Sequence, residues 1–255
     1  MTPVKKTLTV SVYLFFAAAL GLVLGFFELV QRVSWCFSRR VHERSVCALN
    51  KGLWFCLKIL GTRKEVESRG ELPKSGQVIF VSNHQSMFDI VLLAVILAEY
   101  RPRFIAKKEL ARGIPSVSFN LRYGGNIIID RENPKSAVET LRNSVRNLCA
   151  DGASIVIFPE GTRSKTGELN KFKTAGSVLL FEELSQAPVI PVTLDNTRLL
   201  SLRKKDPGPL GVSVKVIVGP PLERIADEPQ QKVLERAKAR IQAHLEEMRS
   251  GKSRD

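Results

Sequence analysis

The sequence predicts an α/β fold, in which a mostly parallel or mixed sheet is flanked by helices and preceded by an N-terminal helical segment of different character. Two observations predict it. From about residue 61, short apolar runs rich in Val and Ile alternate with longer stretches of helical spacing, an alternation typical of α/β folds. Before that point the chain is more apolar than a surface helix. With 255 residues, the chain has room for one ordinary globular domain and an appendage.

The appendage contains 21 consecutive uncharged residues, 7–27. As a helix rising about 1.5 Å per residue, this run would be roughly 30 Å long, the thickness of a bilayer core. A cleaved signal peptide is disfavoured because no small-x-small cleavage site follows the run. A buried core helix is disfavoured because such helices rarely stay uncharged over this length. We therefore expect a membrane anchor.

A second helical stretch, residues 46–60, carries Lys51 and Lys58 seven positions apart with a tryptophan between them. This pattern is typical of an interfacial helix whose lysines reach the headgroups. Two arrangements stay open: one span followed by a surface helix, or a two-helix hairpin inserted in one leaflet. Basic residues are more numerous after the apolar run than before it, which favours an inner (cytoplasmic) membrane location with the downstream domain in the cytoplasm. We expect residues 1–60 to anchor the chain and residues 61–255 to form the α/β domain.

The elements of the domain are predicted from composition and spacing. Strands are expected where short apolar runs occur, at residues 77–82, 103–106, 126–129, 154–158, 189–194 and 213–218. Helices are expected at residues 86–99, 134 to at least 148, 174–184 and 228–248. The second of these begins with Asn133 as N-cap and Pro134 as its first residue. The last is amphipathic and closes the chain.

Charge and cysteine usage restrict the class of function. The chain has 39 Lys and Arg against 25 Asp and Glu, a net charge of +14, which indicates an anionic partner. No run of like charge exceeds three residues, and aromatic residues do not alternate with basic ones, so we expect no nucleic-acid partner. The four cysteines form no C-x-x-C pair and there are three histidines, so we expect no metal site. Reduced, mostly buried thiols are expected instead.

The segment NHQSMFD places His84 just after a predicted strand and Asp89 five residues later. The two side chains would diverge on a regular helix, and they converge only if His84 lies in the turn before the helix. A carboxylate against one ring nitrogen fixes the tautomer and leaves the other nitrogen as a base. The alternative is a helix-capping role for Asp89, since Ser86-x-x-Asp89 resembles a capping box.

The segment FPEGTRS follows another predicted strand and combines a carboxylate, backbone N–H groups, hydroxyls and a guanidinium in one loop. Arg163 is suited to phosphate and Glu160 to hydroxyl groups, so this loop could hold a phosphorylated polyol. The alternative is a polar turn with a surface ion pair.

Charged residues also end two other predicted strands, at Lys107-Lys108 and at Asp130-Arg131. In parallel sheets, ligands bind at the carboxyl edge. If these strands are parallel, then His84, Lys107, Arg131 and Arg163 face one crevice. The sequence has no G-x-S-x-G elbow, no P-loop and no G-x-G-x-x-G loop, which disfavours a serine hydrolase of that type and nucleotide chemistry.

Together, NHQSMFD and FPEGTRS, in this order and about 70 residues apart, resemble the glycerolipid acyltransferase family, and the nearest branch is similar to bacterial lysophosphatidate acyltransferases. The segments GGNIIIDR and VIPVTL resemble further motifs of that family. The resemblance covers roughly residues 65–220. One departure is FKTAG, where relatives often have Phe-Lys-x-Gly, which leaves the role of Lys173 open.

The resemblance implies a membrane-bound enzyme that transfers a fatty acyl group from acyl-CoA or acyl carrier protein to the sn-2 hydroxyl of lysophosphatidate, giving phosphatidate. It implies that His84 is the general base and that Asp89 orients it, with direct attack on the thioester and no acyl-enzyme. It implies that the glycerol phosphate is bound by Glu160, Gly161, Thr162 and Arg163, with Arg131 and Lys107 as further phosphate contacts. No cofactor is implied.

Three alternatives stay open. The acceptor could be another lysolipid, the same histidine could activate water for thioester hydrolysis, or the chain could be a lipid-binding protein on the same fold. The acyl-chain length, the choice of donor, the oligomeric state and the oxyanion-hole residues have no signal in the sequence.

Overall fold

The computed structural model describes residues 3–149, 151–200, 202–203 and 206–250. Its helices are α1 (Pro3–Phe37), α2 (Arg39–Ile59), α3 (Phe88–Ile96), α4 (Val117–Tyr123), α5 (Pro134–Cys149), α6 (Thr174–Glu183) and α7 (Gln230–Ser250). Its strands are β1 (Arg63–Ser68), β2 (Ile79–Ser82), β3 (Arg103–Lys107), β4 (Ile127–Ile129), β5 (Ile155–Ile157), β6 (Val189–Asp195), β7 (Leu202–Arg203), β8 (Asp206–Pro207) and β9 (Ser213–Val218). Short 3₁₀ turns follow α3, β3 and β6.

A seven-stranded mixed sheet forms the centre of the molecule, in the order β1-β9-β6-β2-β5-β3-β4. The run β6-β2-β5-β3-β4 is parallel throughout. β9 is antiparallel to β6, and β1 pairs in parallel with β9. The predicted α/β class with a mostly parallel or mixed sheet is therefore confirmed.

Helices cover both faces of the sheet. Phe80 lies opposite Val156 on β5 and Ile190 on β6, and all three belong to a hydrophobic cluster shared with α2 and α3. The alternate residues Ile79 and Ile155 belong to a second cluster shared with α5, α6 and α7. Strands buried on both faces have continuous apolar runs, which explains why composition alone located them.

All six predicted strands occur, with bounds that differ by at most two residues from those expected. Asn133 caps α5 as predicted, because its Oδ1 accepts a hydrogen bond from the Ser136 N–H at 3.1 Å. Three elements were not predicted: β1, α4 and the β7–β8 pair. β1 has the sequence RKEVES with every residue exposed, so it lacks the apolar signal of the central strands.

The N-terminal segment consists of α1 and α2, which pack against each other and are joined by Ser38. Thr9–Phe37 of α1 is long and apolar enough to cross a membrane, with a mean hydropathy of 2.3 and only 6% of its most apolar window buried. The exposed apolar side chains of α1 form a continuous surface: Val10, Leu14, Phe15, Leu22, Phe26, Leu29, Val33 and Phe37.

These two helices share a hydrophobic core with the sheet. Phe16 of α1 is fully buried and lies edge-on to Phe88 of α3, with ring centroids 6.4 Å apart. Leu53 and Leu57 of α2 belong to the same cluster as Leu92 of α3. The expected division at residue 60 therefore does not coincide with a break in the packing.

An ion-pair network fixes the start of α2 to the sheet. Glu43 accepts hydrogen bonds from Arg101, at 2.9 Å, and from Arg103, whose side chain is only 8% exposed. Arg39 pairs with Asp151. Burial tends to raise the pKa of Glu43, but the two guanidinium groups outweigh it and hold the pKa below its usual value. The charged end of the hairpin is thereby held against the domain.

The cysteines depart in part from expectation. Cys36, Cys47 and Cys56 are free, but only Cys56 is buried, while Cys36 is exposed at the end of α1. The expectation of mostly buried thiols is wrong for Cys36, whose thiol donates to the Arg32 carbonyl of its own helix at 3.4 Å.

His244 of α7 is a buried histidine that supports the sheet. Its Nδ1 lies 3.0 Å from the Thr193 hydroxyl of β6, and 3% of the residue is exposed. Burial lowers its pKa to about 4, and the nearby Arg69 and Arg240 act in the same direction, against Glu247 and Glu67.

This pKa predicts an acid-sensitive fold. The unfolded chain takes up a proton near pH 6.5 whereas the folded chain does not, so stability falls as the pH decreases from about 6.5 towards 4, by roughly 3 kcal/mol at most. In His244→Gln, the new side chain can still form a hydrogen bond with Thr193, but it no longer takes up a proton in this pH range. Urea unfolding in detergent at pH 7 and pH 4.5 should therefore give a smaller loss for the variant than for the wild type, and an equal loss would contradict this assignment.

Candidate active site

The loop after β2 is held rigidly before it reaches His84. The buried Asn83 side chain donates to the Leu194 carbonyl at 2.8 Å and accepts from the Leu194 N–H at 2.7 Å. This two-point bond ties the loop to the neighbouring strand β6, so the backbone at His84 starts from a fixed place.

His84 and Asp89 converge as the sequence required. α3 begins at Phe88, so Asp89 lies in its first turn, and its Oδ2 is 2.8 Å from His84 Nδ1. Asp89 is completely buried, whereas the His84 side chain is 16% exposed. Because the carboxylate only accepts, we assign the proton to Nδ1, which leaves the Nε2 lone pair free.

The capping interpretation of Asp89 holds in part, because Asp89 closes the turn before α3, but the N-cap of α3 is Met87 and not Ser86. The same Oδ2 accepts from the backbone N–H groups of Gln85, at 2.6 Å, and Ser86, at 2.8 Å. The turn expected at Ser86 forms, since its Oγ accepts from the Phe88 N–H at 3.3 Å. One oxygen thus closes the turn and orients the imidazole, so the two interpretations do not compete.

Phe158 completes the surroundings of His84. Its ring stacks on the imidazole with centroids 4.2 Å apart and planes inclined by 21°. Phe158 directly follows β5, the strand next to β2 in the sheet. The sequence analysis did not predict this contact. The one signal for it was that Phe158 is the first residue of FPEGTRS and lies at the end of a predicted strand.

Glu160 connects the two motifs through the backbone. Its Oε1 accepts from the His84 N–H at 2.7 Å, and its Oε2 accepts from the Asn170 N–H at 2.9 Å. Only 1% of the residue is exposed, and burial raises its pKa although these hydrogen bonds act against that. The His84 carbonyl in turn accepts from the Ser164 N–H at 2.7 Å. The turn that carries His84 and the β5–α6 loop (residues 158–173) are therefore cross-linked in both directions.

Two cations converge on Gly161. Its carbonyl accepts from Arg131, which follows β4. Its backbone has a φ of +66°, and a Cβ there would lie 3.2 to 3.3 Å from the end of the Lys173 side chain. The positive φ favours glycine here, and a Cβ would also need the flexible end of Lys173 to shift by a few tenths of an ångström. Lys173, whose role the sequence left open, lies directly over this part of the loop.

The remaining predicted residues lie at the same edge of the sheet. Because β2, β5, β3 and β4 are parallel and adjacent, the residues that follow them point to one side. Lys107 ends β3 with an exposed side chain, and Thr162 and Arg163 are exposed in the β5–α6 loop. Lys108, the other candidate after β3, is paired with Asp130 at 2.6 Å. This edge of the sheet thus presents an imidazole, its buried carboxylate partner and several cationic side chains.

Within the described residues, no group of three or more His, Cys, Asp or Glu side chains is arranged to hold a metal ion. Of the other histidines, His42 is buried between the rings of Trp35 and Phe119, and His244 packs on β6. Neither lies at this edge.

Comparisons with known proteins assign the fold and these motifs to one class. The model of the Acyltransferase family matches residues 63–195, more than half of the chain, and the chain therefore belongs to that family. This confirms the resemblance that the motifs indicated.

Its relatives narrow the class further. The chain is similar to the chloroplastic 1-acyl-sn-glycerol-3-phosphate acyltransferase BAT2 of Brassica napus, with 31% identity over 72% of this chain and 54% of that one. It is also similar to the 1-acyl-sn-glycerol-3-phosphate acyltransferase of Haemophilus influenzae, with 30% identity over 61% of this chain and 64% of that one. The chain thus spans about half the length of the plant relatives that it matches.

A solved structure matches over nearly the full length. The crystal structure of the 1-acyl-sn-glycerophosphate (LPA) acyltransferase PlsC from Thermotoga maritima superposes with a TM-score of 0.79 and 25% identity, over 98% of this chain and 99% of that one. The likeness includes the N-terminal helices as well as the sheet.

The cross-link through Glu160 gives a prediction. Glu160→Gln leaves one carbonyl oxygen for two backbone N–H donors, so one bond is lost at a buried position. We expect a loss of about 1–3 kcal/mol in the free energy of unfolding and faster hydrogen exchange at the amides of residues 84 and 170. Glu182→Gln, an exposed change on α6, is the control. Unchanged exchange at both amides would contradict the role given to Glu160.

Proposed function

We propose that the protein transfers a fatty acyl group from a thioester donor, acyl-CoA or acyl carrier protein, to the sn-2 hydroxyl of lysophosphatidate, giving phosphatidate. The observation that carries this proposal is the His84 imidazole, oriented by a buried carboxylate and set beside a loop rich in phosphate-binding groups. The relatives' names, which specify 1-acylglycerol-3-phosphate as their acceptor, support the choice of substrate.

The proposed reaction is a direct transfer. His84 Nε2 takes the proton from the acceptor hydroxyl as its oxygen attacks the thioester carbonyl carbon. Asp89 stabilises the imidazolium that forms, because its Oδ2 already lies 2.8 Å from Nδ1. When the tetrahedral intermediate collapses, the C–S bond breaks and the imidazolium returns the proton to the departing thiolate. The hydroxyl proton thus ends on the thiol, and no cofactor takes part.

The acceptor phosphate is proposed to bind at the β5–α6 loop. Arg131 and Arg163 supply guanidinium groups suited to bidentate phosphate contacts. Thr162 offers a hydroxyl donor, and Lys107 adds charge at the adjoining strand end. Gly161, for which the resemblance implies a phosphate contact, donates its N–H to the Phe158 carbonyl at 3.0 Å, so it is proposed to shape the loop. Glu160, for which the resemblance implies a substrate contact, is proposed instead to position His84, because both of its oxygens accept from backbone groups.

A phosphorylated acceptor accounts for the several Lys and Arg side chains at this edge of the sheet. A phosphate monoester carries up to two negative charges, whereas a zwitterionic lysolipid carries a compensating positive charge. Hydrolysis by the same base would need water in place of the acceptor hydroxyl. An acyl acceptor other than lysophosphatidate is therefore expected to react more slowly, and free fatty acid is expected as a minor product at most.

The first test is acyl transfer with labelled donor and lysophosphatidate in detergent. His84→Ala should lower the rate of phosphatidate formation by about 10²- to 10⁴-fold, the usual contribution of a general base. Its urea unfolding midpoint should stay close to that of the wild type, because the ring lies at the edge of the core. Acyl-CoA and acyl carrier protein are tested separately. A folded His84→Ala variant with near-normal activity would exclude this mechanism.

The membrane attachment is proposed to use one leaflet. α1 contacts the domain along its length: Phe16 packs on Phe88, Ser116 donates to both the Leu24 carbonyl and Glu28, and Trp35 packs on Tyr123. A helix fixed at both ends against the domain lies along its surface. This favours the hairpin over a separate span, with the domain on the cytoplasmic side of the inner membrane.

Placing α1 in one leaflet also brings the membrane close to His84. Phe88, which α1 covers through Phe16, is adjacent in sequence to Asp89. The buried face of α1 therefore contacts the start of α3, next to the turn that carries His84. With α1 in one leaflet, this turn would lie close to the membrane. A lysolipid and a product that both reside in the membrane can reach the site without leaving it.

Spin labels on α1 distinguish the two arrangements. Leu14, Leu22 and Leu29 are 67%, 76% and 66% exposed, and each can be replaced by Cys and labelled. A hairpin in one leaflet predicts similar, shallow depths for all three labels in lipid vesicles. A transmembrane span predicts that the label at position 22 is far deeper than the other two, and that result would contradict the proposal.

A further inference from the structure

Arg249 reaches the β5–α6 loop from the other end of the chain. It lies in the last turn of α7, and its Nη2 donates to the Gly167 carbonyl at 2.7 Å. Its Nη1 donates to Glu168 at 2.8 Å, and Nη2 also lies 3.2 Å from Asp195 Oδ1 at the end of β6. A single guanidinium thus joins α7, β6 and the loop.

The turn that carries His84 uses two of the same acceptors, the Gly167 carbonyl and Asp195 Oδ1. Gln85, the residue after His84, directs its Nε2 towards the Gly167 carbonyl at 3.3 Å and Asp195 Oδ1 at 3.4 Å. Gln85 and Asp195 are each only 5% exposed. A carboxylate this buried needs a cation, and Arg249 lies within ion-pair distance of it.

From Gly167 the hydrogen bonds continue to His84. The Gly167 N–H donates to Ser164 Oγ at 3.0 Å, and the Ser164 N–H donates to the His84 carbonyl at 2.7 Å. Arg163 lies directly before Ser164 in this connection. The loop conformation also depends on space at Gly167, since a Cβ there would lie 2.7 Å from Arg198 and 3.2 Å from Arg249.

We propose that Arg249, together with Asp195, is a positioning residue for the acyl acceptor. It holds the β5–α6 loop in the conformation in which the exposed side chains of Thr162 and Arg163 meet the phosphate. The inference rests on the proposed function, since the acceptor phosphate is what the loop would bind. Arg249 itself touches no reacting atom.

The test compares Arg249→Gln with the wild type in two measurements. In steady-state kinetics, the KM for lysophosphatidate should rise about tenfold, as expected when charged hydrogen bonds that order a binding loop are lost. The kcat and the KM for the acyl donor should change much less. In hydrogen exchange, the amides of residues 161–168 should exchange faster in the variant, whether or not substrate is present.

Control variants separate positioning from general effects. Arg240→Gln removes one positive charge from an exposed position of the same helix and should change neither measurement. Arg249→Lys keeps the charge but lacks the planar fork, so its KM should fall between those of Arg249→Gln and the wild type. In Asp195→Asn, the further effect of Arg249→Gln should be smaller than in the wild type, because the two residues act as a pair.

The outcomes are distinguishable. An active wild type with an unchanged acceptor KM in Arg249→Gln would overturn the positioning role. So would a loss confined to kcat and thermal stability, which is the result expected of a purely structural contact. A wild type that forms no phosphatidate would refute the proposed function instead, while hydrogen exchange of the loop would still decide whether Arg249 orders it.

Discussion

Parallel pairing of β2, β5, β3 and β4 is the constraint on which the site depends. Parallel strands all leave the sheet at the same edge, so the residues after them meet although they are far apart in sequence. His84, Phe158 and Arg131 follow three of these strands, and direct contacts join them through the β5–α6 loop. The pairing holds because helices cover both faces, which removes apolar surface from water along every central strand.

Two buried carboxylates, Asp89 and Glu160, give the site its geometry. Burying a charge is costly unless hydrogen bonds replace its hydration, and each of these carboxylates accepts from backbone N–H groups. Those bonds fix the turn around His84 from two sides. The bonds that these carboxylates accept are therefore the same bonds that hold the imidazole in place, so the stability of the loops and the orientation of the ring are coupled.

Local signals in the sequence were sufficient for much of this arrangement. The central strands, the Asn133 cap and the turn at His84 follow from composition and from contacts within a few residues. β1 carries no such signal, because an exposed edge strand is defined by its partner β9 and not by burial of its own side chains. Phe158 and Glu160 were recognised as part of a motif, but their contacts with His84 depend on which strands are neighbours, which spacing along the chain does not encode. Arg249 is 82 residues from Gly167 and belongs to a helix with an ordinary amphipathic pattern.

The same long-range contacts explain why the helices at the two ends of the fold bear on the site. α1 contacts the turn that carries His84 through Phe16 and Phe88, and α7 contacts the β5–α6 loop through Arg249. The first contact is apolar and joins the turn to the buried face of α1. The second is ionic and joins the loop to α7 and to the end of β6. In this fold the two contacts meet within a few residues of His84, so helices from both ends of the described chain fix the turn that carries the imidazole.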